Sequence, residues 1–236
     1  MFDPHTGFKK IIAAAHPIRT PHIKVVMPPN TPDIAALLGS RICHDLISPV
    51  GAITNGLELM TLGSRGTSGP EFALVTDSAA NAGARIKFFR LAFGQASENQ
   101  TVNANELHDI LCGVYTGAQK LDWQVTEALP RPRARAACLA LLCLEKCIAR
   151  GGTLTVTGGA TALCLTAKAE SLTTPAEYWP CLSTGVYPVD LPPAQVQFAL
   201  LPLVAHEFDL SIDSQSSEKA AFIRIQAIEN EANNRL

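Results

Sequence analysis

Between residues 34 and 60 apolar side chains recur at helical intervals: Ile34, Leu38, Ile42, Leu46, Ile53, Leu57 and Met60. That spacing commits nearly thirty residues to one amphipathic helix. Thr31 or Asp33 can cap its start, and Pro32 is acceptable in a first helical turn. With His44 set at zero and roughly 100° per residue, Ile42, Leu46, Ile53 and Leu57 fall roughly 160° to 220° away. Ser40, Ser48, Gly51 and Asn55 fall within about 40° of it. The histidine therefore points outward on a strip of small and polar residues, while the apolar stripe faces a partner helix. Pro49 lies inside the pattern, where it removes one backbone hydrogen bond and is expected to bend the helix one turn past His44.

Residues 63–69 read Gly-Ser-Arg-Gly-Thr-Ser-Gly, a turn. Pro70 opens a second helix with Phe72, Val75, Ala79, Ala82, Ile86, Phe89 and Phe93 on one face. Residues 78–84 are almost all small, which lets helices approach closely. The two helices form an antiparallel hairpin. A lone hairpin cannot bury both apolar faces, so a homodimeric four-helix bundle is the economical solution.

After a polar linker at residues 97–101 the pattern becomes mixed. Asn103 and Glu106 suit a helix cap, and Leu107, Ile110, Leu111, Val114 and Tyr115 follow at helical spacing. Trp123-Gln124-Val125-Thr126 alternates as a strand. Residues 132–149 read as a buried helix closed by Gly151-Gly152. Residues 153–157 and 163–167 read as a hairpin pair turned at Gly158-Gly159. Residues 192–206 read as a helix, and 210–213 and 222–228 as closing strands. The fold class is α+β: the helical hairpin, then a sheet with helices on one face. The expected division is a poorly ordered extension over 1–30, the hairpin over 31–97, a linker and first helix cap over 98–106, the α/β domain over 107–230 and a tail over 231–236.

Hydrophobic residues make up 47% of the 236 and charged residues only 17%. That supports real cores and argues against general disorder. A net charge of −2 carries no polybasic signature, so nucleic acid is not an expected partner. No run of about 18 uncharged apolar residues suggests a membrane span. The stretch around Lys9 and Lys10 is too short and weakly apolar for a signal peptide. The seven cysteines form no paired framework, and Cys138, Cys143 and Cys147 sit in the buried helix as reduced thiols. The expected compartment is the cytoplasm.

The string His44-Asp45-Leu46-Ile47-Ser48-Pro49, followed by Ile53 and Gly56-Leu57-Glu58-Leu59, resembles the histidine box of two-component histidine kinases. More specifically, residues 43–60 are similar to the alphaproteobacterial histidine phosphotransferases. The resemblance runs from about residue 32 to about residue 228, close in the first helix and loose afterwards. It implies a dimeric four-helix bundle and a C-terminal α/β sandwich like the Bergerat-type ATPase domain of histidine kinases, without nucleotide binding. It implies phosphoryl transfer from the receiver domain of a hybrid kinase such as CckA to response regulators such as CtrA and CpdR, in cell-cycle control. The chain departs from a working kinase where ATP would bind. The helix residues 141–148 contain no asparagine for Mg²⁺, and residues 167–172 offer no Asp-x-Gly-x-Gly. No ATP or stably bound cofactor is expected, and Mg²⁺ would come with the partner receiver.

By that resemblance His44 accepts the phosphoryl group on its distal nitrogen, and its proximal N–H needs an acceptor. Asp45 can be that acceptor, or an ordinary solvated acid. Arg41 can offset developing negative charge, or pair with Asp45 at i,i+4. Ser48 can bond the incoming group, or its own helix carbonyl. Ser40, Ile47, Gly51 and Asn55 would form the centre of a transient docking surface. Two other readings stand beside this one: a divergent kinase, and a dimeric adaptor that binds receivers without chemistry.

Overall fold

The computed structural model describes residues 33–62 and 69–228. The expectations for 1–30, for most of the 63–69 turn and for the 231–236 tail lie outside the described residues.

Helix α1 (Ile34–Leu62) begins at Asp33, whose carboxylate accepts from the Ala35 and Ala36 amides at 3.0 and 3.1 Å. It runs through Pro49, which is buried and leaves the Asp45 carbonyl without the usual i+4 donor. Helix α2 (Pro70–Phe93) packs along it. The approach is tight at Gly56, where an added Cβ would stand 2.6 Å from Val75 Cγ2.

The C-terminal half of α2 does not end in a free linker. Phe88, Phe89, Leu91 and Ala92 are buried in the main core. Phe88 meets Tyr115 edge-on, and Phe89 stacks on Phe93 at 5.4 Å. The last carbonyls of α2 are capped from the α/β domain: Arg131 donates to Leu91 O and Arg90 O at 2.8 and 2.7 Å. A cation at a helix C-terminus is also favoured by the helix dipole. The expected boundary near 97/98 is thus not a break in packing.

Within the expected linker lies strand β1 (Thr101–Val102), which pairs antiparallel with β3 (Leu129–Pro130). Asn103 caps α3 (Ala104–Val114) by accepting from the Asn105 amide. Strand β2 (Gln119–Trp123) comes earlier than the alternation at 123–126 suggested. Its parallel register with β4 (Gly152–Gly158), Gln119 opposite Gly152, sets its position. Helix α4 (Arg131–Cys147) crosses between those two strands. Strand β5 (Ala162–Lys168), the single-turn helix α5 (Cys181–Thr184), a 3₁₀ turn (Pro193–Gln195), α6 (Gln197–Glu207), β6 (Leu210–Ser216) and β7 (Ala220–Ala227) complete the chain.

The sheet order is β2-β4-β5-β7-β6, antiparallel except for β2 with β4. One face carries Leu154, Val156, Leu163, Leu165, Ile223 and Ile225, all buried under α4 and α6. The opposite face is more exposed and includes Thr155, Thr157 and Thr166. Alternation of buried and open positions along each strand is what a sheet covered on one side requires. The expected single helix over 192–206 is split, because Pro192 and Pro193 limit its start to a 3₁₀ turn.

Candidate functional site

His44 stands at the middle of α1 with its side chain 83% exposed. Its Nδ1 lies 3.1 Å from Asp45 Oδ1, within hydrogen-bond reach. With the proton on Nδ1, the ring donates to the carboxylate and presents an unprotonated Nε2 outward. Asp45 is itself held: Arg41 Nε donates to its other oxygen at 2.7 Å. Burial pushes the Asp45 carboxyl up. The hydrogen bond from His44 and the charges of Arg41 and Arg85 outweigh it, so the group ends below the usual carboxylate range.

Arg41 forms the i,i+4 pair with Asp45 that its spacing allowed. It does not line the open surface and is 4% exposed. Besides Asp45, it donates to Ala194 O at 2.7 Å and to Gln197 Oε1 at 3.4 Å, and its Nη2 lies 3.5 Å from Glu145 Oε1. Of the two roles open to it, pairing with Asp45 is the one the structure displays. The physical reason is a carbonyl and a carboxylate from the α/β domain that satisfy the inward-turned guanidinium. In the structure Arg41 is linked to His44 through Asp45. Burial pushes Glu145 up against the opposing charges of Arg41 and Lys146.

Ser40, Ile47, Ser48 and Asn55 are exposed along the same stretch of α1, and Gly51 has no atom within 4 Å of where a Cβ would sit. Ser48 has no hydrogen-bond partner among the described residues, so its hydroxyl is not spent on its own helix. His44, Asp45 and Ser48 also line a cleft of about 500 Å³, together with Asn81 and Arg85 of α2 and Thr116 beyond α3. Ser40, Ile47, Gly51 and Asn55 do not line it. Asn81 and Arg85 were missed in the sequence. The available signal was a polar residue inside the small run 78–84 and a cation one turn later, on the helix that pairs with the histidine helix.

The cysteines of α4 take no part. Burial pushes the Cys138 and Cys147 thiols up to about 12, and Cys143 is also raised. Among the described residues no three His, Cys, Asp or Glu side chains come together as a metal site. No described helix is long and apolar enough to cross a membrane.

The site is thus a solvent-facing imidazole within hydrogen-bond reach of a locked carboxylate, at the edge of a polar cleft. Comparison with known proteins defines the class. Residues 104–220 match the histidine phosphotransferase C-terminal domain. The chain is ChpT-like over part of its length: it is 39% identical over 127 residues to protein phosphotransferase ChpT of Brucella abortus (strain 2308). That match spans 52% of this chain and 60% of the relative. A solved bacterial phosphotransferase shares the fold with a TM-score of 0.68 and 29% identity, over 82% of this chain and 96% of that one.

Proposed function

We propose that the protein is a histidine phosphocarrier of a multistep phosphorelay. His44 takes a phosphoryl group from the receiver domain of a hybrid kinase and passes it to the receiver aspartate of a response regulator. The observation that carries this reading is His44 itself: exposed, with Nδ1 held against Asp45 and Nε2 open to a partner. Nε2 attacks the receiver's acyl phosphate as the P–O bond breaks. The leaving group is the receiver's carboxylate, and the proton on Nδ1 stays shared with Asp45. The reverse transfer uses the same groups. Asp45 fixes the tautomer and steadies the positive charge that the ring gains on phosphorylation, a positioning role.

Mg²⁺ belongs to the receiver in this scheme, and no ATP is used. Ser40, Ile47, Gly51 and Asn55 form the docking centre around His44. Receivers of CckA-like, CtrA-like and CpdR-like proteins are the candidate partners, with cell-cycle control in the cytoplasm as the setting. The protein acts as a homodimer. Val50, Leu57, Phe72 and Ile86 are 52%, 49%, 40% and 55% exposed in the single chain. Pairing two hairpins into a four-helix bundle would cover such apolar side chains.

The test is to mix the protein with a phosphorylated hybrid-kinase receiver and locate the label. Acid-labile, base-stable phosphate on His44 is expected. Receiver binding without any label would instead favour a non-catalytic adaptor.

A further inference from the structure

The cleft beside His44 holds a cation and an amide that the scheme above does not use. Arg85 and Asn81 lie one turn apart on α2, and they line the same cleft as His44 and Ser48, one turn apart on α1. Arg85 Nε donates to Asn81 Oδ1 at 3.1 Å. That bond fixes the guanidinium plane and leaves both Nη groups without a hydrogen bond among the described residues. The nearby carboxylate, Asp45, is engaged by Arg41 and His44. Arg85 is near enough to lower the Asp45 carboxyl but is not bonded to it. A half-buried arginine, anchored at one end and open at the other, is a fork for a tetrahedral oxyanion. Asp77 also lines the cleft, two turns before Arg85, about 12 Å along the helix.

We infer that Arg85, positioned by Asn81, is a catalytic residue of the transfer: its Nη groups bind the equatorial oxygens of the phosphoryl group as it passes to or from His44 Nε2. This rests on the phosphocarrier reading. Ser48, with its hydroxyl unpartnered, donates to the same group from the other helix. Charge on the three equatorial oxygens persists through a loose transfer, so a preorganised cation beside the path lowers the barrier in both directions. The receiver brings its own cation to the donor side. Arg85 supplies the carrier's half and also retains the group once the receiver has left.

The test uses the full chain with a phosphorylated receiver domain, under single-turnover conditions, for wild type, R85A, R85K and N81A. Label must first reach His44 in wild type; if it does not, the phosphocarrier reading fails, and Arg85 is not the cause. Given labelling, R85A is expected to slow transfer about 10- to 100-fold with receiver affinity unchanged. R85K should recover part of the rate, because it keeps the charge without the fork, and N81A should fall between. The ³¹P resonance of phosphorylated His44 should shift in R85A, a change that a purely structural role would not produce. Melting curves identify any variant that fails to fold, and N81A and R85K then carry the comparison. Wild-type rates in folded R85A and N81A would overturn the inference. So would a rate loss that tracks weakened receiver binding, which would make Arg85 a docking contact.

Discussion

Replacing Arg41 by alanine tests how the histidine is held. The side chains of Arg41 and Asp45 are only 5% and 14% exposed, and their contact is 2.7 Å. The substitution also removes the donor to Ala194 O and the partner of Glu145. Breaking a buried pair by deleting one member costs about 3–5 kcal/mol, because the other charge is left uncompensated. Two features place this case near the lower end. Arg85 still faces Asp45, and Glu145, already pushed up by burial, can take a proton. A loss of about 3 kcal/mol in a protein of this size lowers Tm by about 6–12 °C. Urea unfolding at pH 7 of wild type, R41A, D45A and the double variant measures it. The two single losses should exceed the double loss, since both remove one interaction. Phosphotransfer should slow in R41A while receiver binding persists. A loss under about 1 kcal/mol, or strictly additive losses, would refute the claim that Arg41 locks Asp45.

Four further outcomes follow from the same geometry. G51W should melt like wild type, since nothing stands within 4 Å of the new Cβ, yet receiver docking and transfer should fail; normal transfer would remove Gly51 from the docking surface. G56A should cost about 1–2 kcal/mol, as overpacking against Val75 outweighs the better helix propensity of alanine, and V75A should restore most of it in a thermal melt. The folded Asp45 carboxyl is lowered, so its contribution is present above the unfolded value near 3.8 and is lost as pH falls through the folded one. The stability gap between wild type and D45N should therefore be full at pH 7 and shrink below about pH 3.8; a gap that widens in acid contradicts the assignment. Glu145 is raised, so its ionised form burdens the fold as pH climbs through its folded value. E145Q should leave Tm at pH 7 unchanged or higher, whereas a clear drop would show that its pairing with Arg41 is net stabilising.

The hairpin was legible because its signals are local: a long 3.6-residue period and Gly and Pro at the ends. The cap at Asn103 and the β4–β5 turn were legible for the same reason. What escaped the sequence depends on distant pairing. Strands β1 and β3 are two residues each, too short to show a period, and exist only because each finds the other. Strand β2 is placed by its register with β4, while the alternation that starts at its last residue, Trp123, runs on through Val125 beyond its end. Arg41 turns inward for the carbonyl of Ala194, 153 residues away, which no local pattern reveals. The same holds for the site. His44, Asp45 and Ser48 lie within one box, but Asn81 and Arg85 reach the cleft only when α2 folds back along α1.

The measurement that bears most directly on the central claim follows phosphate through the whole relay. A phosphorylated hybrid-kinase receiver, this protein and a second response-regulator receiver are mixed, and arrival of label at the second receiver is timed with wild type and with H44Q. The account predicts arrival with wild type through a transient acid-labile intermediate on this protein, and none with H44Q although both receivers still bind. Equal arrival with H44Q would contradict it and assign the chemistry elsewhere.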